Sequence, residues 1–491
     1  MKKSILIVAL ALVLWISACS ILPENSPIIQ EGEEYEQSSK TSHKNKKNKT
    51  EETPEPTAPT ESRTGEATPE PAKTPAPTPE PTPAPTPTRE KDLLELEEEE
   101  NQVTLAGDDT WVELPEGGEE DPITERETKL LQIDPKDAEA VAKYPEGEEV
   151  ELMQSYLTGT WTDVNAVKRR NIAVMLPNVY RAGGSNNSPQ LKLYGISKAS
   201  IIYEAPVEGR NTALMAIFED YDRLKKIGPV ASSRDYFIYD AMSFDSIYVN
   251  WGMARIWTEE LINSDRIDNL SATTAGIKDP AKEIFYTDEN AIPDAGKDYV
   301  GYLDVAKLAS TIEARGYEKE YRETFEQAFK FANDKLATYP DAKDVVKIWP
   351  GGKVQNAGGY GNFADKNPHF EYDAEKHLYY RYQFGDVMTD AMNGQKIGVT
   401  NVVLKLCHGE ERMPDDARYD FLAFGVHGTG KAYVFTNGKM IEGTWEKSSD
   451  PSADYLYDEE GNEIVLNQGK TWICCVWQEF DNFIVIESPA N

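Results

Sequence analysis

The chain has 491 residues and a formal net charge of -34, from 85 acidic against 51 basic side chains. That balance argues against nucleic acid as a partner, since a phosphate backbone is held by clustered Lys and Arg. Cysteine is scarce, with four residues and no CxxC pair, so a structural zinc site is not supported either.

The N-terminus reads as an address. Lys2-Lys3 precedes an apolar run from Ile5 to Ile16 that is too short for a comfortable membrane span. Ile16-Ser17-Ala18-Cys19 follows, and small residues before a cysteine resemble the lipobox of bacterial lipoproteins. Residues 1–19 are therefore expected to be a lipoprotein signal peptide, with Cys19 lipidated. An ordinary secretion signal with a chance cysteine is the plainer alternative. Two acyl chains on Cys19 would anchor the protein stably to the outer face of the cytoplasmic membrane. Residues 20–105 then form a Pro/Thr/Glu-rich tether, with TPEPAKTPAPTPEPTPAPTPT at its centre. Proline at alternate positions forbids helix and favours extended polyproline II. Residues 106–165 continue acidic, with GGEEDPITERE and YPEGEEVEL. Dense like charge predicts a mostly unstructured segment with a transient helix around Pro135 to Lys143.

Residues 166–318 read as a first folded domain. NIAVMLPN, SIIYEAPV, NTALMAIFED and SIYVNWG are apolar strands. Ser188-Pro189 signals a helix start. A second helix runs through Tyr236 and Ala241 with Ser232 or Ser233 as its cap, and others are expected at Ala254 to Ile262 and at Asp304 to Arg315, closed by Gly316. Strand ends and helix starts in such folds gather at one edge, where ligands bind. That edge collects Asn178, Arg181, Glu204, Glu208, Arg210, Ser233, Arg234, Asp235 and Asn250. A helix start beside an arginine makes a seat for phosphate or carboxylate. Equally, Arg234 pairs with Glu204 or Glu208 to satisfy a buried edge.

The stretch from Tyr317 to Leu336 repeats Tyr321, Phe325, Phe329 and Ala332, which predicts a helical connector over 319–345. Residues 346–491 then read as strand after strand, with hairpin turns at Asn437-Gly438 and Gly461-Asn462. Cys474 and Cys475 would point to opposite faces of a strand; a bridge from Cys407 to one of them stays open beside three buried thiols. Asp458, Glu459, Glu460 and Asn462 lack full calcium-loop spacing and read as a solvated hairpin tip. His369, His377, His408 and His427 fall in no catalytic motif. Trp445 and Trp472 either pack a sheet or stack on sugar. The fold class is α+β/α/β: a mixed layered N-terminal domain, with room for an internal β-α-β duplication, then a β-rich C-terminal domain.

SKASIIYEAPVEGRNTALMAIFED, KIGPVASSRDYF and GKAYVFTNGKMIEGTW resemble the YerB-like lipoprotein family of bacteria, over nearly all of residues 170 to 485. In KIGPVASSRDYF, Ala231 stands where the family pattern has arginine, while Arg234 is kept. The resemblance implies anchoring and architecture, and no reaction. The favoured reading is a lipid-anchored envelope protein without catalysis or cofactor, its partner a cell-wall polymer or an envelope protein. An alternative rests on GRNTALMAIF and SSRDYF, which weakly resemble wall-polymer ligases of the LytR-CpsA-Psr type. There Arg210, Arg234 and Asp235 would hold a pyrophosphate with Mg, although Thr212 and Ser233 depart from that pattern. A polysaccharide-binding module is the third reading.

Overall fold

The computed structural model describes residues 127–134, 136, 140, 144, 149–179, 191–208, 211–272, 284–288, 299, 301–333, 335–354, 362–363, 367–412 and 421–490. All of them belong to one compact unit that runs from Ala84 to Asn491. Cys19, the tether, Arg181, Ser188, Arg210 and the helix expected at Pro135 to Lys143, apart from isolated positions, lie outside the described residues.

The first strands overturn part of the unstructured segment expected over 106–165. β1 (Thr128–Gln132) and β2 (Glu149–Gln154) pair antiparallel, and β2 pairs β3 (Trp161–Asp163). Charge density hid the apolar residues that make this small sheet. Ile133, Tyr144 and Leu152 close on one another, and Met153 packs with Val164 and Val167.

The main sheet has twelve strands. From the N-terminal half come β4 (Ile172–Asn178), β5 (Ile201–Val207), β6 (Asn211–Phe218), β7 (Ile247–Trp251) and β8 (Asn269–Ala272). β9 (His369–Asp373) and β10 (Leu378–Gln383) belong to a separate six-stranded sheet. The C-terminal half adds to the main sheet β11 (Asn401–Arg412), β12 (Phe421–Gly425), β13 (Gly428–Thr436), β14 (Lys439–Lys447), β15 (Tyr455–Asp458) and β16 (Thr471–Trp477). The order runs β14-β13-β11-β16-β5-β6-β4-β7-β8, with Lys343–Asp344 beyond β14, β12 on β11 and β15 on β14. β16 lies parallel to both β11 and β5, with Ile201 opposite Thr471. The two halves therefore share one hydrogen-bonded sheet.

Central strands covered on both faces read as continuous apolar runs, and all seven residues of β4 are buried. Alternation sorts each strand into two cores. Met175, Tyr203, Met215, Val403 and Cys475 face one side. Val174, Ile202, Leu214, Val402, Trp472 and Cys474 face the other. The first side is covered by α1 (Asp235–Met242), by Leu261 and Ile262 of α2 (Arg255–Ile262), and by Phe329 and Phe331. The second is covered by Leu308 and Ile312 of α3 (Leu308–Arg315) and by Ile348, Phe370 and Tyr379 of the six-stranded sheet. Cys474 and Cys475 point opposite ways, and the three described cysteines are buried free thiols. Gly316 closes α3 with φ 71°, a left-handed position that suits glycine. Asn437 and Gly438, at φ 47° and 70°, make the β13–β14 turn that needs positive φ twice.

The structure is β-rich with few helices. Among the described residues one β-α-β unit with adjacent parallel strands is present, β7–α2–β8. The helix expected over 319–345 is replaced by an extended strap. Its backbone spends its hydrogen bonds on distant partners: Arg322 N–H donates to Asp245 Oδ2 and Ala332 N–H to the Leu466 carbonyl. Tyr321 and Phe325 stack at 4.2 Å, so the four-residue spacing that mimicked a helical stripe serves a bent aromatic cluster with Tyr156.

Because β5 depends on β16 along Ile201–Glu204, a chain ending at residue 318 should not fold alone. Near-UV circular dichroism and sedimentation are expected to show an aggregating chain without native packing. Co-expression with residues 319–491 should restore a soluble one-to-one complex.

Candidate functional site

The residues singled out along the sheet edge separate into two groups. Asn178 and Glu204 belong to a sealed network inside the sheet stack. Glu204 is fully buried and accepts from Arg381 Nη2 at 2.7 Å, Thr212 Oγ1 at 2.7 Å and Trp472 Nε1 at 3.0 Å. Asn178 Nδ2 donates to Glu204 Oε1 at 3.1 Å, Thr212 Oγ1 at 2.7 Å and Gln383 Oε1 at 2.8 Å. The Arg381 guanidinium is flanked by the rings of Phe370 and Trp472, at 4.9 and 5.2 Å. Among the described residues its Nε and Nη1 have no hydrogen-bond acceptor, so the aromatic faces supply the remaining electrostatic contact.

The second group surrounds the start of α1. Arg234, not Ser232 or Ser233, is the residue at the helix cap, and it makes no side-chain capping bond. Ser233 Oγ is drawn away by the Tyr248 hydroxyl at 2.7 Å. Arg234 takes Glu208 as its partner rather than Glu204. Nε lies 3.2 Å from both Glu208 oxygens, Nη2 donates to Oε2, and Nη1 donates to the Ser233 carbonyl at 2.7 Å. Burial alone would lower the Arg234 pKa; the Glu208 carboxylate more than offsets it. Asn250 joins this group through Gly252, whose carbonyl accepts from both Asn250 Nδ2 and the Ser233 N–H. Asp235 turns the other way and accepts from Arg412 Nη1 at 2.8 Å.

Asp235 and Arg412 open onto a cleft of about 390 Å³, walled by Tyr239, Trp257, Arg266 and His427. His427 Nε2 lies 2.8 Å from Asp450, yet burial, Lys447 and Lys405 hold its pKa below the ordinary imidazole value. Beneath the cleft lies a second buried charge cluster. Lys405 Nζ reaches Asp454 at 2.7 Å and Asp240 at 3.3 Å, and the Tyr203 hydroxyl donates to Asp454 at 3.0 Å. Burial pushes Asp240 up to about 6, with Asp454 adding to the rise and Lys405 opposing it. Lys447 donates to Ser243 and to the carbonyls of Asp450 and Ser452, and burial brings its amine down to about 8.

Arg381, Lys405 and Arg412 carry these clusters, and the sequence reading singled out none of them. A signal existed: Arg381 and Lys405 are single buried charges inside the apolar or aromatic runs LYYRYQ and VVLKLC. Trp445 and Trp472 are buried at 2% and 0% exposure, so they pack the sheet and cannot stack on a sugar. Asp458 Oδ1 accepts from the N–H groups of Glu460 and Asn462, which makes it the brace of its own hairpin. Among the described residues no three His, Cys, Asp or Glu side chains converge as a metal-binding group.

A mixed sheet built jointly by two sequence halves and braced by buried ion pairs defines a two-part scaffold. Residues 157–318 match the family described as "Protein of unknown function (DUF3048) N-terminal domain", and residues 360–473 match the corresponding C-terminal domain. The chain belongs to this YerB-like family. It is 27% identical over 323 residues to "Putative lipoprotein YerB" of Bacillus subtilis (strain 168), covering 65% of this chain and 85% of that protein. The crystal structure of the YerB protein from Bacillus subtilis shares the fold, with a TM-score of 0.52 at 21% identity, over 68% of this chain and 99% of that one.

Removing Arg381 while leaving Glu204 buried strands a charge, which costs about 3–5 kcal/mol. Arg381→Met should lower unfolding stability by that order in urea, and adding Glu204→Gln should recover part of the loss. A pH dependence follows from Asp240. The folded state holds its proton to about 6 against an ordinary 3.8, so the native protein binds more protons between those values. Its stability falls as pH rises through that window. Asp240→Asn should flatten this fall in urea midpoints measured from pH 4 to 6.5.

Proposed function

We propose that the protein is a lipoprotein of the outer face of the cytoplasmic membrane that binds an envelope component, a wall polymer or another envelope protein, without catalysing a reaction. The anchor reading is carried by Ile16-Ser17-Ala18-Cys19 behind the apolar run, and the relative's printed name as a lipoprotein supports it. The binding reading is supported by the state of the ionisable groups around α1. Arg234 pairs with Glu208, Arg412 with Asp235 and Lys405 with Asp240, the arrangement of a scaffold that presents a surface. The Mg-assisted transferase alternative would need Asp235 for its metal, and Asp235 is engaged by Arg412.

The anion seat keeps a defined chemistry on this reading. Glu208 already supplies a carboxylate to Arg234, so an incoming phosphate or carboxylate gains the guanidinium only by exchange with Glu208. The exposure of both side chains is low, 16% and 19%, which makes that exchange a local opening rather than a surface contact.

Two measurements test these statements. Cys19→Ala should move the chain from the membrane fraction to the soluble envelope fraction; retention in the membrane would refute the anchor. In titrations of the full chain with glycerol phosphate, Glu208→Gln should tighten binding several-fold and Arg234→Ala should abolish it. Equal responses from parent and both variants would remove the anion seat.

A further inference from the structure

The cleft beside α1 has a volume of about 390 Å³, and its chemistry differs from that of an anion site. Arg412 is held by Asp235 at 2.8 Å and by Glu410 at 2.7 Å, and Arg266 is held by Asp450. Asp235 and Glu260 line it with Arg266 and Arg412, Glu410 and Asp450 add two carboxylates bonded to those guanidinium groups, and His427 is held toward its neutral form. An anion entering here meets a net negative surround.

What the cleft does offer is unspent hydrogen-bonding capacity next to aromatic surface. Asp235 uses Oδ2 for Arg412, and Arg412 uses Nη1 and Nε for its two carboxylates. Among the described residues, Asp235 Oδ1 and Arg412 Nη2 have no protein partner, which leaves an acceptor and a donor on one ion pair. The Tyr239 hydroxyl and Trp257 Nε1 are likewise uncommitted among the described residues. His427 spends Nε2 on Asp450 and keeps Nδ1. The rings carrying these groups pack against neighbours. Tyr239 meets His427 edge-on at 4.9 Å, Trp257 meets Phe421 at 5.0 Å, and Arg412 lies 5.7 Å from the Trp257 ring. Ile256 adds an exposed apolar rim at 59% exposure.

Adjacent donors and acceptors fixed on ion pairs suit vicinal hydroxyl groups, each of which donates and accepts. Aromatic faces, negative at the centre, suit the weakly positive C–H face of a sugar ring. The volume lies within the range of about 300–1,000 Å³ common to ligand pockets. We propose that this cleft binds an uncharged glycan segment, with Trp257 and Tyr239 as the stacking walls and the Asp235–Arg412 pair addressing ring hydroxyls. This names the ligand class for the binding function proposed above and rests on that reading.

The test uses the full-length chain, with soluble β-linked N-acetylglucosamine oligomers as the probe, followed by calorimetry and by tryptophan fluorescence. Saturable binding that persists in chelator is expected. Trp257→Ala should weaken it about tenfold, in line with loss of a stacking face, while Trp257→Phe keeps most of it. Far-UV circular dichroism checks the fold of each variant. The proposal is overturned if the oligomers fail to bind while purified wall sacculi still sediment with the chain, since binding then exists but not to bare glycan. It is overturned equally if basic peptides bind and the oligomers do not, or if folded Trp257→Ala binds the oligomers as well as the parent. A chain that binds neither oligomers nor sacculi would remove the wall-polymer reading along with it.

Discussion

The ion pair between Glu204 and Arg381 is the constraint around which the architecture is arranged. Glu204 sits on β5, in the N-terminal half, and Arg381 on β10, in the C-terminal half; neither side chain is exposed. Hydrophobic burial is non-directional and would tolerate several ways of stacking the six-stranded sheet on the twelve-stranded one. A buried carboxylate with its guanidinium, an indole N–H and a hydroxyl aimed at it tolerates few. Asn178 and Gln383 complete the network from opposite halves, so a shift of either sheet leaves charged and polar groups unpaired in a dry interior.

The same rule recurs wherever the halves meet. Lys405 of β11 reaches Asp240 of α1, Arg412 reaches Asp235, and Tyr203 reaches Asp454. Asp390 accepts from the N–H of Gly195 and from both the N–H and the hydroxyl of Ser197. Each bond spans the two sequence halves. The two parts of the family pattern thus share one hydrogen-bonded body in the described residues, with α1 bonded to both. One end of that helix is closed by Arg234 and Glu208, and the next residue, Asp235, faces the open cleft. Two adjacent residues divide the helix start between a structural duty and an exposed one.

The strands were legible because burial on both faces writes itself as apolar runs, as in Ile172–Asn178 and Ile201–Val207. The Asn437-Gly438 turn and the Gly316 stop were legible because only certain residues tolerate positive φ. The extended strap was not, because Tyr321, Phe325 and Phe329 repeat at a helical spacing for tertiary reasons that no local window contains. The β1–β2 hairpin was obscured by acidic neighbours, although its apolar residues were present. For the site, Arg234 with a glutamate partner was foreseen, and Glu208 is the one chosen. The cleft escaped notice because its walls come from segments far apart in sequence, Tyr239, Trp257, Arg412 and His427, and proximity of that kind leaves no spacing to read.

The parallel seam between β5 and β16 has a temporal side. Ile201 must wait for Thr471, so a chain emerging N-terminus first presents a row of unsatisfied amides and carbonyls until almost the last strand arrives. A net charge of -34 opposes the close approach of neighbouring chains to that vacant edge.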